Sequence, residues 1–381
     1  MTTSTPLSLD DPTTKAILKV SEDGLAGFCE TPFAEIARRS GVAESQVLVR
    51  INELLEAGVI RRIRMTLNTS NLAHGALIAW KVPGERLQAA FAALWEDDPF
   101  SGHVVIRSTD SALPGSGFRL WTTLKVPQGF LLQRHVETMA REIGAEAFRI
   151  MPAKCLFALG VGHVRRRQIL PGARVSVDVQ PRFPTLVRLS PEEWHTLAIV
   201  KEPLEKHEIV SRPWKERAER AGVSEENFVR RVETLGRKGL LGRFSTFLEH
   251  VRPLSTGEQV TRYNALFHWK VALGQELQAG MEVGRHEIIT HAYWREGGPE
   301  FGDVNLMAVA HGVVKEALLE HKASIDSHLH EAGIQVGYTT QFWGGRSEIK
   351  PSEILPTAYE SWCIARGLDP DSMRGDHDEI S

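Results

Sequence analysis

Pro213-Trp214-Lys215-Glu216-Arg217-Ala218-Glu219-Arg220-Ala221-Gly222-Val223-Ser224-Glu225 repeats an earlier stretch, Pro32 to Glu44. In the first copy Thr31 is placed to cap a helix, with Pro32 at its first position. That helix runs through Ala34-Glu35-Ile36-Ala37-Arg38-Arg39 and stops at Gly41. A second helix is predicted from Glu44 to Ala57, because Val47, Ile51, Leu54 and Leu55 fall at helical spacing. Gly58 ends it, and Val59 to Leu67 reads as a strand bearing Arg61, Arg62 and Arg64. Helix, turn, helix, glycine and basic strand make the outline of a winged helix-turn-helix. In the second copy Arg231, Leu235 and Gly239 match Arg50, Leu54 and Gly58, and Arg243 matches Arg62.

The repeat continues downstream. Ala79-Trp80-Lys81-Val82 matches His268-Trp269-Lys270-Val271, after an insertion near Arg252 to Arg262 in the second copy. A helix follows in each (Gly84 to Leu94; Gly274 to Gly284), then a pair of strands, another helix (Gln128 to Ile143; Val313 to Ala332) and a last strand (Ala147 to Met151; Gln335 to Tyr338). Strand, helix, strand, strand, helix, strand is the ferredoxin-like order. Two long copies indicate a duplication, not a solenoid. The expected fold is α+β: a duplicated winged helix-turn-helix plus ferredoxin-like βαββαβ domain. The divisions are 12–70 and 187–250 for the winged helices, 71–165 and 251–345 for the ferredoxin-like domains, 166–186 for a linker and 346–381 for a tail. A short helix is expected at Thr13 to Val20, a loose Thr/Ser-rich start before it, and a tail helix around Thr357 to Arg366 ahead of an acidic end.

The paired strands carry the polar residues. Gly102-His103-Val104-Val105-Ile106-Arg107 and Thr290-His291-Ala292-Tyr293-Trp294-Arg295 share a His-x-x-x-Arg spacing. Strand side chains alternate faces, so His103, Val105 and Arg107 share one face, as do His291, Tyr293 and Arg295. On the next strands Arg119, Trp121, Thr123 and Lys125 share a face, as do Asn305, Met307, Val309 and His311. Faces bearing His, Arg and Lys are suited to holding something anionic. Trp80 and Trp269 read as core aromatics. His74, His163, His195 and His268 show no partner, and His286 lies near the candidate site as an isolated residue. Leu159-Gly160-Val161-Gly162-His163 lacks the full glycine pattern and flanking elements of a phosphate loop and reads as an ordinary loop.

The 381 residues are enough for several cores, and a net charge of −3 gives no global pull toward nucleic acid or acidic lipid. Cys29, Cys155 and Cys363 form neither a zinc pattern nor a disulfide framework, which fits a reducing compartment. No signal-like start and no membrane-length apolar run is present, so a cytoplasmic protein with no metal is expected.

With these residues in view, the chain resembles the Lrp/AsnC regulators, and more closely an enzyme offshoot of that family, the siroheme decarboxylases. The resemblance rests on Pro32-Phe33-Ala34-Glu35-Ile36-Ala37, Gly58-Val59-Ile60-Arg61-Arg62-Ile63, Ala79-Trp80-Lys81-Val82-Pro83, Thr290 to Arg295, and Asn305-Leu306-Met307-Ala308-Val309-Ala310-His311-Gly312. It covers about residues 12–157 and 187–343 and is to the fused, two-half form. It implies removal of CO2 from two acetate side chains of siroheme, giving 12,18-didecarboxysiroheme, on the way to heme d1 or haem. The first half departs from the pattern. It has Val105 in place of Tyr293, Lys125 in place of His311, and Ser108 to Gly115 in place of an aromatic and proline run. Arg64 stands where the family tends to have Gly.

Siroheme carries eight carboxylates on a planar ring, and Arg meets a carboxylate as a two-pronged fork. Arg295, Arg107, Arg119, Lys125, Arg62 and Arg243 are therefore the expected clamps. Loss of CO2 leaves electron density that the ring can delocalise, so no added cofactor is expected. The carbon must then gain a proton, which His supplies near neutral pH. His291 and His103 are the expected donors, with Tyr293 and His311 assisting. Two rival functions are a DNA-binding regulator with a small-molecule sensor domain, and a tetrapyrrole carrier without turnover. DNA binding is disfavoured by Glu44, Glu53 and Glu56 against Arg50 alone on the first recognition helix, although Arg230, Arg231, Arg237 and Lys238 improve the second. The expected partners are siroheme and its product. The chain reads as a pseudo-dimer in itself, with self-association beyond that left open.

Overall fold

The computed structural model describes residues 9–110, 112–160, 162, 166, 169–249 and 260–375. The expectations for the first eight residues, the insertion at 252–259, Val161, His163 and the acidic end at 376–381 lie outside the described residues. In chain order the elements are α1 Pro12–Ser21, β1 Leu25–Ala26, α2 Pro32–Ser40, α3 Glu44–Glu56, β2 Ile60–Leu67, β3 Ala73–Lys81, α4 Leu87–Glu96, β4 Ser101–Ser108, β5 Leu120–Pro127, α5 Leu132–Ile143, β6 Ala147–Pro152 and β7 Cys155–Leu159. They continue with α6 Pro191–Val200, α7 Lys215–Arg220, α8 Glu225–Arg237, β8 Leu241–Leu248, β9 Tyr263–Val271, α9 Glu276–Arg285, β10 Ile289–Trp294, β11 Leu306–Gly312, α10 Lys315–Glu331, β12 Val336–Ile349 and α11 Pro356–Ala365. Among the described residues, no helix is long and apolar enough to cross a membrane.

The chain divides into two compact units, each built from both repeats. The first comprises Met1–Asn68, Gly160–Gln168 and Val187–Arg262. Its helix α2 starts at Pro32 and stops at Gly41, whose φ of 73° is the left-handed conformation that glycine adopts without strain. The Thr31 side chain makes no capping bond, contrary to expectation; Pro32 alone marks the start. The two wings, β2 and β8, pair antiparallel, Ile63 opposite Thr246 and Met65 opposite Phe244, so each covers an edge of the other. Phe33 meets Phe244 edge-on at 5.7 Å beneath them. Arg217, where the repeat has Ile36, is equally buried. Glu208 receives it at 2.7 and 2.8 Å, and the Ile199, Glu202 and Pro203 carbonyls accept its remaining donors.

The second unit comprises Thr69–Leu159, Ile169–Leu186 and Tyr263–Ser381. It is one nine-stranded sheet in the order β6-β3-β5-β4-β12-β9-β11-β10-β7. Each half contributes the order fourth, first, third, second strand of a ferredoxin-like fold. The expected last strand of half two, ending at Tyr338, runs on to Ile349. Its first part pairs with β9 and its second with β4 of the other half. In return β7 of half one pairs with β10 of half two. Only Ala153 and Lys154 separate the edge strands β6 and β7 in the chain, so the ends of the sheet are drawn together.

Alternation sorts the side chains. On the helix-covered side, Trp80, Leu120, Leu124 and Phe91 form the core of half one, and Trp269, Phe267, Ala308 and Val283 that of half two. Both tryptophans are fully buried and satisfied, Trp80 Nε1 donating to Thr122 and Trp269 Nε1 to Asp326. On the other side the halves meet each other: Val105, Trp121 and Met151 pack with Leu266, Met307 and Phe342. The tail helix α11 sets Tyr359, Trp362 and Cys363 into the outer core of half one.

Candidate functional site

The inner face, where the halves meet, carries the polar residues. In half one Ser101 lies opposite Leu124 and His103 opposite Thr123, with a bulge between them. In half two Ile289 lies opposite Ala310 and His291 opposite Val309, with the same bulge. The repeat thus holds at the level of register. A bulge adds one residue and re-aims the strand beside it. In half two that residue is Thr290; in half one it is Gly102.

Directly opposed residues on neighbouring strands share a face. Arg107 on β4 lies opposite Gly344 on β12, Gly344 opposite Asn264 on β9, and Asn264 opposite His311 on β11. Because Gly344 has no side chain, Arg107 reaches across β12. Its Nη1 donates to Asn264 Oδ1 at 3.1 Å. A Cβ at Gly344 would lie 3.1 Å from the Asn264 Cβ, so the close approach depends on glycine. The Arg107 bond orients the amide, and Asn264 Nδ2 meets His311 Nε2 at 3.1 Å. His311 Nδ1 lies 3.3 Å from Thr290 Oγ1, which also meets His291 Nδ1 at 3.0 Å. Thr290 gives its own proton to the Val309 carbonyl at 3.0 Å, so it accepts from both rings. The network makes His311 the neutral tautomer with its proton on Nδ1. In the same network His291 donates to Thr290 from Nδ1.

The matching positions of half one hold Gly75 for Asn264, Gly102 for Thr290 and Lys125 for His311. Lys125 Nζ lies 3.1 Å from the place a Gly75 Cβ would take. Burial, then the positive charge of Arg295, pushes Lys125 down to about 8. Burial alone pushes Arg107 to about 9 and lowers Arg295. Arg295 lies over the Tyr293 ring, 4.4 Å from its centroid, and donates to the Met151 carbonyl. Burial raises Tyr293, so its phenol stays protonated. Among the described residues no carboxylate pairs with Arg107, Arg295 or Lys125. Arg107 and Arg295 are buried and Lys125 is half-buried, and cations so placed are costly without an anion.

Of the residues expected from sequence, His291, His311, Tyr293, Arg295, Arg107 and Lys125 lie on this face, and His103 joins it through Ser347, with Nε2 to Oγ at 2.8 Å. Arg119 does not: β5 starts one residue later, and the Arg119 side chain is exposed while its carbonyl accepts the Arg107 amide at 2.7 Å. Arg62 and Arg243 belong to the winged-helix unit. There Arg62 and Arg64 both lie over the Phe247 ring, and burial pushes both down to about 10. His268, which had no partner in the sequence, is fully buried against Trp121 and Phe342. Burial and the Arg107 charge push it down to about 3, so it is neutral. The sequence does not mark Asn264, Thr290 or Gly344 as site residues: Thr290 stands beside His291, whereas Gly344 lies beyond the expected end of its strand at Tyr338.

Fold and face together define the class: a duplicated winged-helix and ferredoxin-like chain whose two halves enclose a cationic, histidine-bearing interior. Residues 15–61 match the family described as the siroheme decarboxylase NirDL-like HTH domain. The curated siroheme decarboxylase of Hydrogenobacter thermophilus is 28% identical over 304 residues, covering 79% of this chain and 84% of that protein. The fold is that of the crystal structure of the siroheme decarboxylase NirDL, with a TM-score of 0.65 at 21% identity over 94% of this chain and 100% of that one. A second crystal structure of NirDL, in co-complex with an iron-uroporphyrin III analogue, superposes with a TM-score of 0.63 at 21% identity, covering 93% and 99%. The chain is thus similar to siroheme decarboxylases along most of its length.

Proposed function

We propose that this chain is a siroheme decarboxylase. It removes CO2 from the acetate side chains at C12 and C18 of siroheme and yields 12,18-didecarboxysiroheme. One observation carries the reading: a single inner face joins cations that have no carboxylate partner among the described residues to a hydrogen-bonded histidine pair. A polycarboxylate supplies what the cations lack, and the histidines supply what decarboxylation needs. The relative from Hydrogenobacter thermophilus, and a neighbour of the same fold solved with an iron-uroporphyrin analogue, support the substrate class.

Arg107, Arg295 and Lys125 hold the spectator carboxylates. The aromatic and aliphatic residues of the face, Trp121, Phe342 and Met307 among them, exclude water. As the bond from the side-chain carbon to the carboxylate breaks, its electron pair passes to that carbon and into the macrocycle, and CO2 leaves. His291 then gives the Nε2 proton to the carbon, turning acetate into methyl. The macrocycle accepts the electron pair, so the step uses no added cofactor. Asn264 and His311 keep His291 oriented through Thr290. His103 is the corresponding donor in half one, with Ser347 as its hydrogen-bond partner. The test is anaerobic incubation of the purified protein with siroheme and mass analysis of the pigment. Loss of two CO2 is expected. Unchanged siroheme bound to the protein would instead support a carrier, and no binding at all would leave the regulator.

A further inference from the structure

The helix-covered side of half two holds a second group of titratable residues that the proposed chemistry does not use. Glu282 lies near the end of α9, His286 caps it, and His328 faces them from α10. Glu282 and His286 are buried, His328 half-buried. His286 Nε2 and His328 Nδ1 lie 3.3 Å apart, the Glu282 Oε1 lies 3.9 Å from His286 Nε2, and one donor atom from each residue falls within 4.8 Å of the others. A tetrahedral zinc ion with bonds of about 2.0–2.1 Å sets neighbouring nitrogens about 3.3–3.4 Å apart.

The equivalent corner of half one shows what a closed polar network looks like here. Asp98 stands at the position of His286, just before β4. It accepts from Ser101 at 2.6 Å and meets His135 Nε2 at 3.4 Å, while His135 Nδ1 meets Tyr359 at 3.1 Å. Half two instead turns two imidazoles and a carboxylate toward one point. The 173–175 segment holds the corner in place: Val175 N–H donates to the Arg285 carbonyl and Glu287 N–H to the Ala173 carbonyl.

We infer that Glu282, His286 and His328 bind a divalent transition-metal ion of the zinc class, one per chain, which fastens α9 to α10 over the sheet. Two imidazole nitrogens and a carboxylate suit zinc, cobalt, nickel or copper and not calcium or magnesium, and water completes the coordination. Arg174 donates to Glu282 Oε1 at 2.7 Å and Arg285 to Oε2 at 3.2 Å. Such bonds to a ligating carboxylate are usual around a metal. Both arginines are about a third exposed, at 34% and 31%, so each can turn toward solvent.

The test uses untagged full-length protein, free of tetrapyrrole and stripped by a chelator, titrated with cobalt(II) chloride and then zinc chloride. Cobalt is expected to bind one per chain with visible ligand-field absorption that zinc bleaches, and zinc is expected to raise the Tm. His286→Ala should weaken zinc binding at least about 100-fold, in line with loss of a ligand. Should that variant fail to fold, His328→Gln at the half-buried position carries the test, with folding checked by circular dichroism. Absence of stoichiometric binding to the stripped wild type overturns the inference. So does equal affinity in His328→Gln. Neither readout depends on turnover of siroheme, so the metal site and the proposed decarboxylation stand or fall separately.

Discussion

Lys125 and His311 occupy the same place in the two halves, yet their surroundings differ. His311 sits between the Asn264 amide and the Thr290 hydroxyl, in a row that begins at Arg107 of the other half. Lys125 sits over Gly75, with glycines where Asn264 and Thr290 would be and the Arg295 charge nearby. One half carries a hydrogen-bonded row of polar side chains at this place, the other a cluster of cations. Each site borrows its arginine from the opposite half. A duplicated chain can therefore let matching positions diverge while each half lends an arginine to the other, which a symmetric homodimer with one sequence cannot do.

The largest effect expected is that of His291→Ala. Removing a general acid costs about 10²–10⁴-fold in rate. Siroheme binding, read by absorbance, should stay nearly unchanged, because His291 is not a clamp. Release of both CO2 molecules at the normal rate would move the donor to half one. Next is Arg107→Ala, which removes a buried charge-assisted donor and should weaken binding about tenfold to a hundredfold. If it lowers kcat and leaves binding intact, Arg107 acts on the chemistry and not as a clamp.

Asn264→Leu separates the two roles. It leaves Arg107 and both histidines in place and cuts the link between them. A fall of about tenfold in rate is expected, the size of one lost hydrogen bond to a polarised group. The pH–rate profile should also shift, since Asn264 no longer holds His311 in its neutral tautomer. An unchanged profile would mean that the row only packs.

The repeat was readable because both halves keep the same glycines, tryptophans and His-x-x-x-Arg spacing, and local pattern alone reveals these. The relay was not readable, because it runs across strands far apart in the chain. Gly344 became legible as the gap through which Arg107 passes only once β12 was known to pair with both β4 and β9. Sequence alternation placed Arg119 with Trp121, but the chain leaves the pleat between Arg119 and Leu120, and alternation holds only inside a strand. The run Thr339 to Gly345 sets Phe342 and Trp343 side by side between polar residues and glycines, with no clean period, so the strand seemed to end at Tyr338.

A smaller, signed effect distinguishes the charge pocket from the relay. Lys125 is lowered to about 8 in the free protein, so it binds anions with full charge below that pH and loses charge above it. Siroheme affinity should decline as pH rises past about 8, and Lys125→Arg should remove that decline. Stability of the ligand-free protein should move the other way. Lys125 is pushed down to about 8 when folded and returns near the ordinary lysine value of 10.5 when unfolded. Between these values the unfolded chain binds more protons, so stability gains with rising pH. Parallel pH profiles for binding and stability would refute the assignment.

The smallest expected effect is on DNA, and it compares the halves once more, now in the winged-helix unit. Helix α3 has one cation, Arg50, and it is held by Asp11 at 3.2 Å and Glu53 at 3.1 Å. Helix α8 is richer in arginine, but Arg230 pairs with Glu226 at 2.9 Å, Arg231 with Glu192 at 2.5 Å, and Lys238 with Glu193. Exposed pairs such as these are each weak, about 0.2–1 kcal/mol, so they do not lock the arginines in place. They do set acidic charge beside the cations that would have to neutralise phosphates, and binding driven by counterion release needs a net positive face. The wild type should therefore give no salt-sensitive, sequence-specific shift at nanomolar protein. Glu192→Gln combined with Glu193→Gln should raise only non-specific, salt-sensitive binding, about tenfold or less, through α8 and not α3. A specific shift by the wild type would restore the regulator reading and make the two halves a fused pair of DNA-binding heads.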